Sequence, residues 1–157
     1  MNGNVWLWAL GIGIVAGLRA MTAPAAVAWA AYLGWLNLSG SPFALMGSKW
    51  AVGLFTLAAL GEFVNDQLPK TSARTAAGPL IARIVMGALT GACLGTSGGY
   101  SIIVAAFLGS VGALIGAFGG YKARVGLVKS LGVPDFAIAI PEDLLAIGLA
   151  LWITKRG

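Results

Sequence analysis

The chain has 157 residues, 59% of them hydrophobic and only 10% charged, and its mean hydropathy is +0.89. Soluble domains carry about 25% charged residues, so this chain lacks the polar surface of a water-soluble globule. It reads instead as a single integral membrane domain, residues 1–157, of all-α class, and not as a soluble enzyme, a secreted disulfide scaffold, a disordered segment or a nucleic-acid binder.

Net charge is +5, from ten Lys/Arg against five Asp/Glu. The basic residues lie at the ends of apolar runs, where they set topology and meet anionic lipid headgroups. Zero histidine removes the commonest metal ligand and general base. Cys93 is the single cysteine, so no intramolecular disulfide forms. No metal or cofactor is expected. Met1 to Asn4 holds no Lys or Arg, so the first apolar run does not read as a cleaved signal peptide.

Six apolar segments follow, with four to six true crossings. Val5 to Ala20 is the first, ending at Arg19, and Pro24 to Leu38 is the second, set off by the Met21-Thr22-Ala23-Pro24 step. Both are short for a crossing of about 17–25 residues, so they read either as two short spans or as a broken, re-entrant pair. Leu38 to Ser48 reads as a loop with an interfacial half-turn, and Lys49 to Asp66 is the third segment. Gln67 to Gly78 is the most polar stretch, with Lys70 and Arg74. Pro79 to Thr96 is the fourth segment, Ser97-Gly98-Gly99 a tight turn, and Tyr100 to Gly120 the fifth. Tyr121 to Val133 is short, basic and amphipathic. Phe136 to Thr154 is the sixth, interrupted at Pro141.

With the N-terminus outside, Arg19, Lys70, Arg74, Arg83, Lys122, Arg124 and Lys129 lie on the cytoplasmic side, and Lys49, Lys155 and Arg156 outside. A re-entrant first pair preserves this parity. Trp6, Trp35, Trp50 and Trp152 then fall near the outer face as an aromatic belt, while Trp29 reads as packed in mid-segment. Gly87, Gly91 and Gly95, and again Gly112, Gly116 and Gly120, are spaced by four. Such small-residue ridges let backbones approach closely, so segments four and five are expected to form a tight antiparallel hairpin. Gly13 to Ala20 and Gly116 to Ala123 both read G-x-x-x-G-x-[KR]-A. Chance composition is the favoured reading; a true echo would mean two related halves running in parallel.

Charges within membrane segments are costly and usually face the bundle interior. Glu62 and Asp66, four apart, share one helix face. Glu62 and Arg83 lie at matching depth on neighbouring antiparallel segments, so an ion pair between them is expected. Glu62, Asn65 and Asp66 offer oxygens to a cation, but one helix turn is an incomplete ligand set. In Pro141-Glu142-Asp143 the adjacent carboxylates diverge by about 100°, so at most one readily faces a shared partner. Arg19, Glu62, Asp66, Arg83, Lys122, Arg124, Glu142 and Asp143 thus gather in the cytoplasmic half, four acids against four bases. They read either as pairs that fix helix register or as a polar site, with Glu62 and Glu142 titrating or binding a cation, Asp66 and Asp143 in support, and Arg19 and Arg83 as counter-ions or anion contacts.

Three stretches resemble one family: Ala16-Gly17-Leu18-Arg19-Ala20 followed by Pro24; Glu62-Phe63-Val64-Asn65-Asp66-Gln67-Leu68-Pro69; and Gly120-Tyr121-Lys122-Ala123-Arg124 leading to Pro141-Glu142-Asp143-Leu144-Leu145-Ala146. In these the chain resembles the small bacterial membrane proteins grouped as domain of unknown function family 4126. The resemblance implies a similar hydropathy plan and a single shared charged site, and supplies neither an activity nor catalytic residues. The expectation from the sequence is a polytopic helix bundle of the bacterial inner membrane, acting as a small permease or lipid/solute carrier. It is not expected to be an enzyme; its partners are membrane lipids, a small solute or ion, and further copies of itself, with no nucleic acid. A non-catalytic membrane scaffold or accessory subunit is the alternative, and a small intramembrane lipid-headgroup enzyme the third reading.

Overall fold

The computed structural model describes residues 4–66 and 77–156. Among these residues the chain forms six α-helices and no strand: α1 Val5–Leu18, α2 Thr22–Tyr32, α3 Lys49–Asp66, α4 Ala77–Ser97, α5 Ile102–Leu131 and α6 Asp135–Arg156, with a short 3-10 turn at Ala44–Gly47 between α2 and α3. Three of them, α4, α5 and α6, are long and apolar enough to cross a membrane. The protein is therefore an all-α membrane bundle. Lys70 and Arg74 lie outside the described residues.

The first two α-helices are the shortest of the six. α1 has 14 residues and α2 has 11, about 21 and 17 Å at 1.5 Å per residue, against a hydrocarbon core of about 30 Å. The start of α1 and the end of α2 lie at the same end of the bundle. Trp6 near the start of α1 packs edge-on against Tyr100, with centroids 5.2 Å apart, and Trp8 packs likewise on Trp152, at 5.0 Å. Beyond α2, Lys155 lies over the Trp35 ring, and Asn37 N–H donates to Ser97 Oγ. The α1–α2 pair is thus a hairpin whose two outer ends lie together at one end of the bundle. The tryptophan-rich end predicted from the sequence is real, and Trp8 joins it.

The hairpin turn lies inside the bundle. It meets Glu62, four residues before the end of α3, and Arg83, six residues after the start of α4. The break falls at residues 19–21, where Arg19 is extended at φ −142° and ψ 110°. Pro24 does not make it: α2 starts at Thr22 and carries Pro24 in its first turn, where a missing N–H costs little. Pro141 likewise sits within a continuous α6, not at an interruption. Nor is Tyr121 to Val133 a separate segment. α5 runs unbroken through it for 30 residues, about 45 Å, and stops at Gly132, whose φ of +62° is the left-handed cap.

Packing depends on missing side chains. α4 packs antiparallel on α5 as the glycine spacing predicts. A Cβ at Gly87 would sit 2.9 Å from Ala113 Cβ, and one at Gly91 would overlap the Ala105 carbonyl oxygen. The ridge on α5, however, is not the predicted one. Gly109 and Ala105 face α4, whereas Gly112 and Gly116 face α1, touching Leu10, Ile14 and Gly17. Residues three apart point about 60° apart around a helix, so α5 presents two adjacent smooth faces and is clasped by two helices. The two echo segments lie on neighbouring parallel helices, but α1 ends at Leu18, within its copy, while α5 continues past Ala123 for about two more turns.

Trp29 departs from expectation. It is 40% exposed, and its Nε1 donates to Thr56 Oγ1 of α3 at 3.0 Å. It lines an open groove between α2, α3 and α6 instead of packing in the core.

At Gly109 an added methyl would overlap the Gly87 carbonyl oxygen, and at Gly53 on α3 it would meet nothing within 4 Å. Gly109→Ala is expected to destabilise the bundle by about 1–3 kcal/mol, as overpacking does, and Gly53→Ala to leave it unchanged, as read by thermal unfolding in detergent.

Candidate functional site

A helix that stops inside a membrane bundle leaves its last carbonyls without intrahelical partners, and one that starts there leaves its first N–H groups so. At the α1–α2 turn charged side chains from other helices meet one carbonyl of the first set and the N–H groups at the entry to the second. Arg83 of α4 donates from Nε to Gly17 O at 3.0 Å, close to the C-terminus of α1. Glu62 of α3 accepts from Ala20 N–H at Oε1, 2.8 Å, and from Met21 N–H at Oε2, 2.9 Å, at the entry to α2. A cation thus sits at a helix C-terminus and an anion at a helix N-terminus, the arrangement that helix dipoles favour. The two caps also face each other, with Arg83 Nη2 3.7 Å from Glu62 Oε1. The pair expected from matching depth is present, and each member also holds backbone.

Arg19 is the most deeply placed charge, with no exposed surface. It forms an ion pair with Asp143 of α6, and its guanidinium carbon lies 5.6 Å from the centroid of the Phe63 ring. One residue earlier, Glu142 pairs with Arg124 of α5 at 3.8 Å. The adjacent carboxylates therefore serve different partners, as their divergence on the helix requires. Beside that pair is a cavity of about 290 Å³, lined among others by Leu18, Gly120, Leu127, Pro141 and Leu145.

Of the candidate residues, Arg19, Glu62, Arg83, Glu142 and Asp143 come together around the hairpin turn, with Arg124 at the edge. Lys122 is exposed on α5. Asp66 ends α3, and its side chain lies outside the described residues. The pairing of Arg19 with Asp143 was not anticipated from the sequence, nor were the roles of Phe63 and of the Gly17 carbonyl. A signal for the last was present: Gly17 is in the final turn of a helix too short to cross, so its carbonyl needed a donor from elsewhere.

Two consequences are measurable. Breaking a buried pair leaves an uncompensated charge and costs about 3–5 kcal/mol, whereas replacing both members by apolar groups is close to neutral. Asp143→Leu is expected to destabilise by that amount and Arg19→Met with Asp143→Leu to recover most of it, which a double-mutant cycle of thermal or denaturant unfolding reads directly. Glu62→Gln puts an NH2 group against one of two backbone N–H donors. It is expected to cost about 1.5–3 kcal/mol, the worth of a hydrogen bond to a charged group, in the same assay.

The family model of Domain of unknown function (DUF4126) matches residues 6–155. No curated protein matches the chain, and no solved structure does. The match takes in the hairpin, both caps and the paired acids Glu142 and Asp143 of α6, so the chain belongs to the DUF4126 family.

Proposed function

We propose that this protein is a small permease or lipid/solute carrier of the bacterial inner membrane, not an enzyme, and that the charged groups around the hairpin turn form its solute site or couple solute movement to protons. The observation that carries this reading is the turn itself: non-helical backbone and an unexposed arginine held at membrane depth by side chains from α3, α4 and α6. Irregular backbone at that depth is tolerated where protein encloses it or where it lines a cavity. In many carriers the ends of interrupted helices, with their dipoles, form the substrate site, and intramembrane ionisable residues commonly mark solute or proton pathways. In this reading Glu142 and Glu62 are the titrating or cation-binding groups, Asp143 supports Glu142, and Arg19 and Arg83 balance them or contact an anion. A chain of 157 residues encloses little space, so the working form is a homo-oligomer.

A second reading is favoured by the completeness of the pairing. Arg19, Arg83 and Arg124 each have a carboxylate partner on another helix, which is also what a non-catalytic scaffold or accessory subunit needs to lock its register.

Glu142→Gln separates the two, because it removes the charge and keeps the shape of the side chain. Protein reconstituted in liposomes on a solid-supported membrane is challenged with small organic anions, small organic cations and pH steps. A saturable current that Glu142→Gln abolishes while the protein stays folded at the assay temperature is the expected result. No current from any challenge, or one indifferent to Glu142→Gln, would move the assignment to the scaffold.

A further inference from the structure

Packing divides the bundle in two, and charge divides it along the same line. α1 and α4 both lie on α5 at glycine distances: a Cβ at Gly13 or at Gly87 would overlap the Gly109 carbonyl oxygen. α3 and α6 are instead joined through α2. Trp29 donates to Thr56 of α3, Glu62 of α3 caps α2, and Lys155 of α6 lies over Trp35 just beyond α2. All five acids of the chain lie on α3 and α6, and α1, α4 and α5 hold none. The ion pairs Arg19–Asp143, Arg83–Glu62 and Arg124–Glu142 thus all cross the line, each from a base of the first unit to an acid of the second.

Among the described residues the chain itself crosses at the charged end. Residues 19–21 join α1 to α2, and residues 132–134 join α5 to α6. The connections at the tryptophan-rich end, 33–48 and 98–101, each stay within one unit. The first crossing has its two halves held separately. Gly17 O is held by Arg83 of α4, in the same unit as α1, and the Ala20 and Met21 N–H groups by Glu62 of α3, in the same unit as α2. Between the two caps is Arg19, with extended backbone, so a change of its dihedral angles turns one unit against the other and leaves both caps intact. The second crossing contains Gly132, at a φ of +62°. Such element-terminal residues are where hinges absorb rotation.

The far end is held more lightly. There the units meet through Trp8 on Trp152 and through Asn37 N–H on Ser97 Oγ, 3.1 Å. Behind these contacts the buried surface of α2 and α6 is made of small side chains, among them Ala26, Ala30, Ala146 and Ala150. Lipid tails are as apolar as the surfaces that would part, so separation in a membrane costs packing and not exposure to water.

We infer that the fold contains a hinge at residues 19–21 and 132–134, about which the α2, α3 and α6 unit rocks against the α1, α4 and α5 unit and parts from it at the tryptophan-rich end. The ion pairs lie beside the axis and persist through the motion. The lever is α1, 14 residues long, about 21 Å. A rotation of about 15°, the size of a rigid-body switch between packed units, parts the tips by about 5 Å. Rocking of one bundle against another is how many carriers alternate their access, but the hinge stands on the caps and the connections and goes beyond the carrier reading.

Double electron–electron resonance on the full-length protein in lipid nanodiscs tests it, with spin labels at exposed sites in a Cys93→Ala background. Ile103 with Trp50 reports across the tryptophan-rich end and Ile81 with Val64 across the charged end. Ile81 with Ile103 lies within the first unit, and Trp50 with Leu144 within the second. The expected result is a second Ile103–Trp50 population, longer by about 5 Å, with both within-unit distances single and a smaller change at Ile81–Val64. Trp8→Leu and Ser97→Ala are each expected to enrich that population about threefold to tenfold, the worth of one aromatic pair or one hydrogen bond. Ser97→Ala changes an exposed contact, so it reads the hinge even where Trp8→Leu fails to fold. A single Ile103–Trp50 distance before and after Ser97→Ala, a charged end that opens as far as the other, or a Trp50–Leu144 distance that changes with the opening would each overturn the hinge. Solute currents with a single distance would leave the carrier reading standing without the hinge, and two distances without currents would leave the hinge in a scaffold.

Discussion

The reciprocal capping of the hairpin turn is the constraint on which the rest of the structure depends. α1 ends and α2 begins within the bundle, where no bulk water meets their orphan backbone groups. Glu62 and Arg83 supply what water would have supplied, a carboxylate to two N–H groups and a guanidinium to a carbonyl. Because the caps come from α3 and α4, these backbone groups of the hairpin are satisfied only with those helices in place. Its fold is therefore a property of the whole bundle, not of residues 5–32.

Close packing and charge pairing divide the work between the two sides of the hairpin. α1 is held by backbone contact: glycines on α1 and α5 bring the chains so near that a methyl group would collide. In a membrane, where apolar burial gives no preference for protein over lipid, such van der Waals contact is the main attraction between helices. α2 packs instead among α3 and α6 and leaves a groove beside Trp29 and Leu60. The site of interest thus lies between a tightly joined unit and a loosely joined one, with Arg19 at the joint.

The charges illustrate how far a pattern of residues reaches. The pairing of Glu62 with Arg83 was legible because both sit near the same end of helices expected to be antiparallel neighbours. The separate duties of Glu142 and Asp143 were half legible: helix geometry says they diverge, but not which bases they meet. That Arg19 is wholly buried against Asp143 could not be read from spacing, because α1 and α6 are more than a hundred residues apart in the chain. Phe63 carried no signal either, since an aromatic ring in an apolar run looks like ordinary packing.

The sequence by itself determined the medium and the class: a composition with 10% charge admits helices in lipid and little else. It also placed Trp6, Trp35 and Trp152 at one end, and with them the glycine spacing and the gathering of charge, since these follow from local period and from the cost of exposing polar groups to hydrocarbon. Tertiary structure alone decided that the first two helices turn back, that α5 turns its two smooth faces to α1 and α4, and that the chain breaks at Arg19 and not at Pro24. Each of these depends on which distant helix supplies the missing hydrogen bond or the missing volume. A local pattern states the need and leaves the partner unnamed.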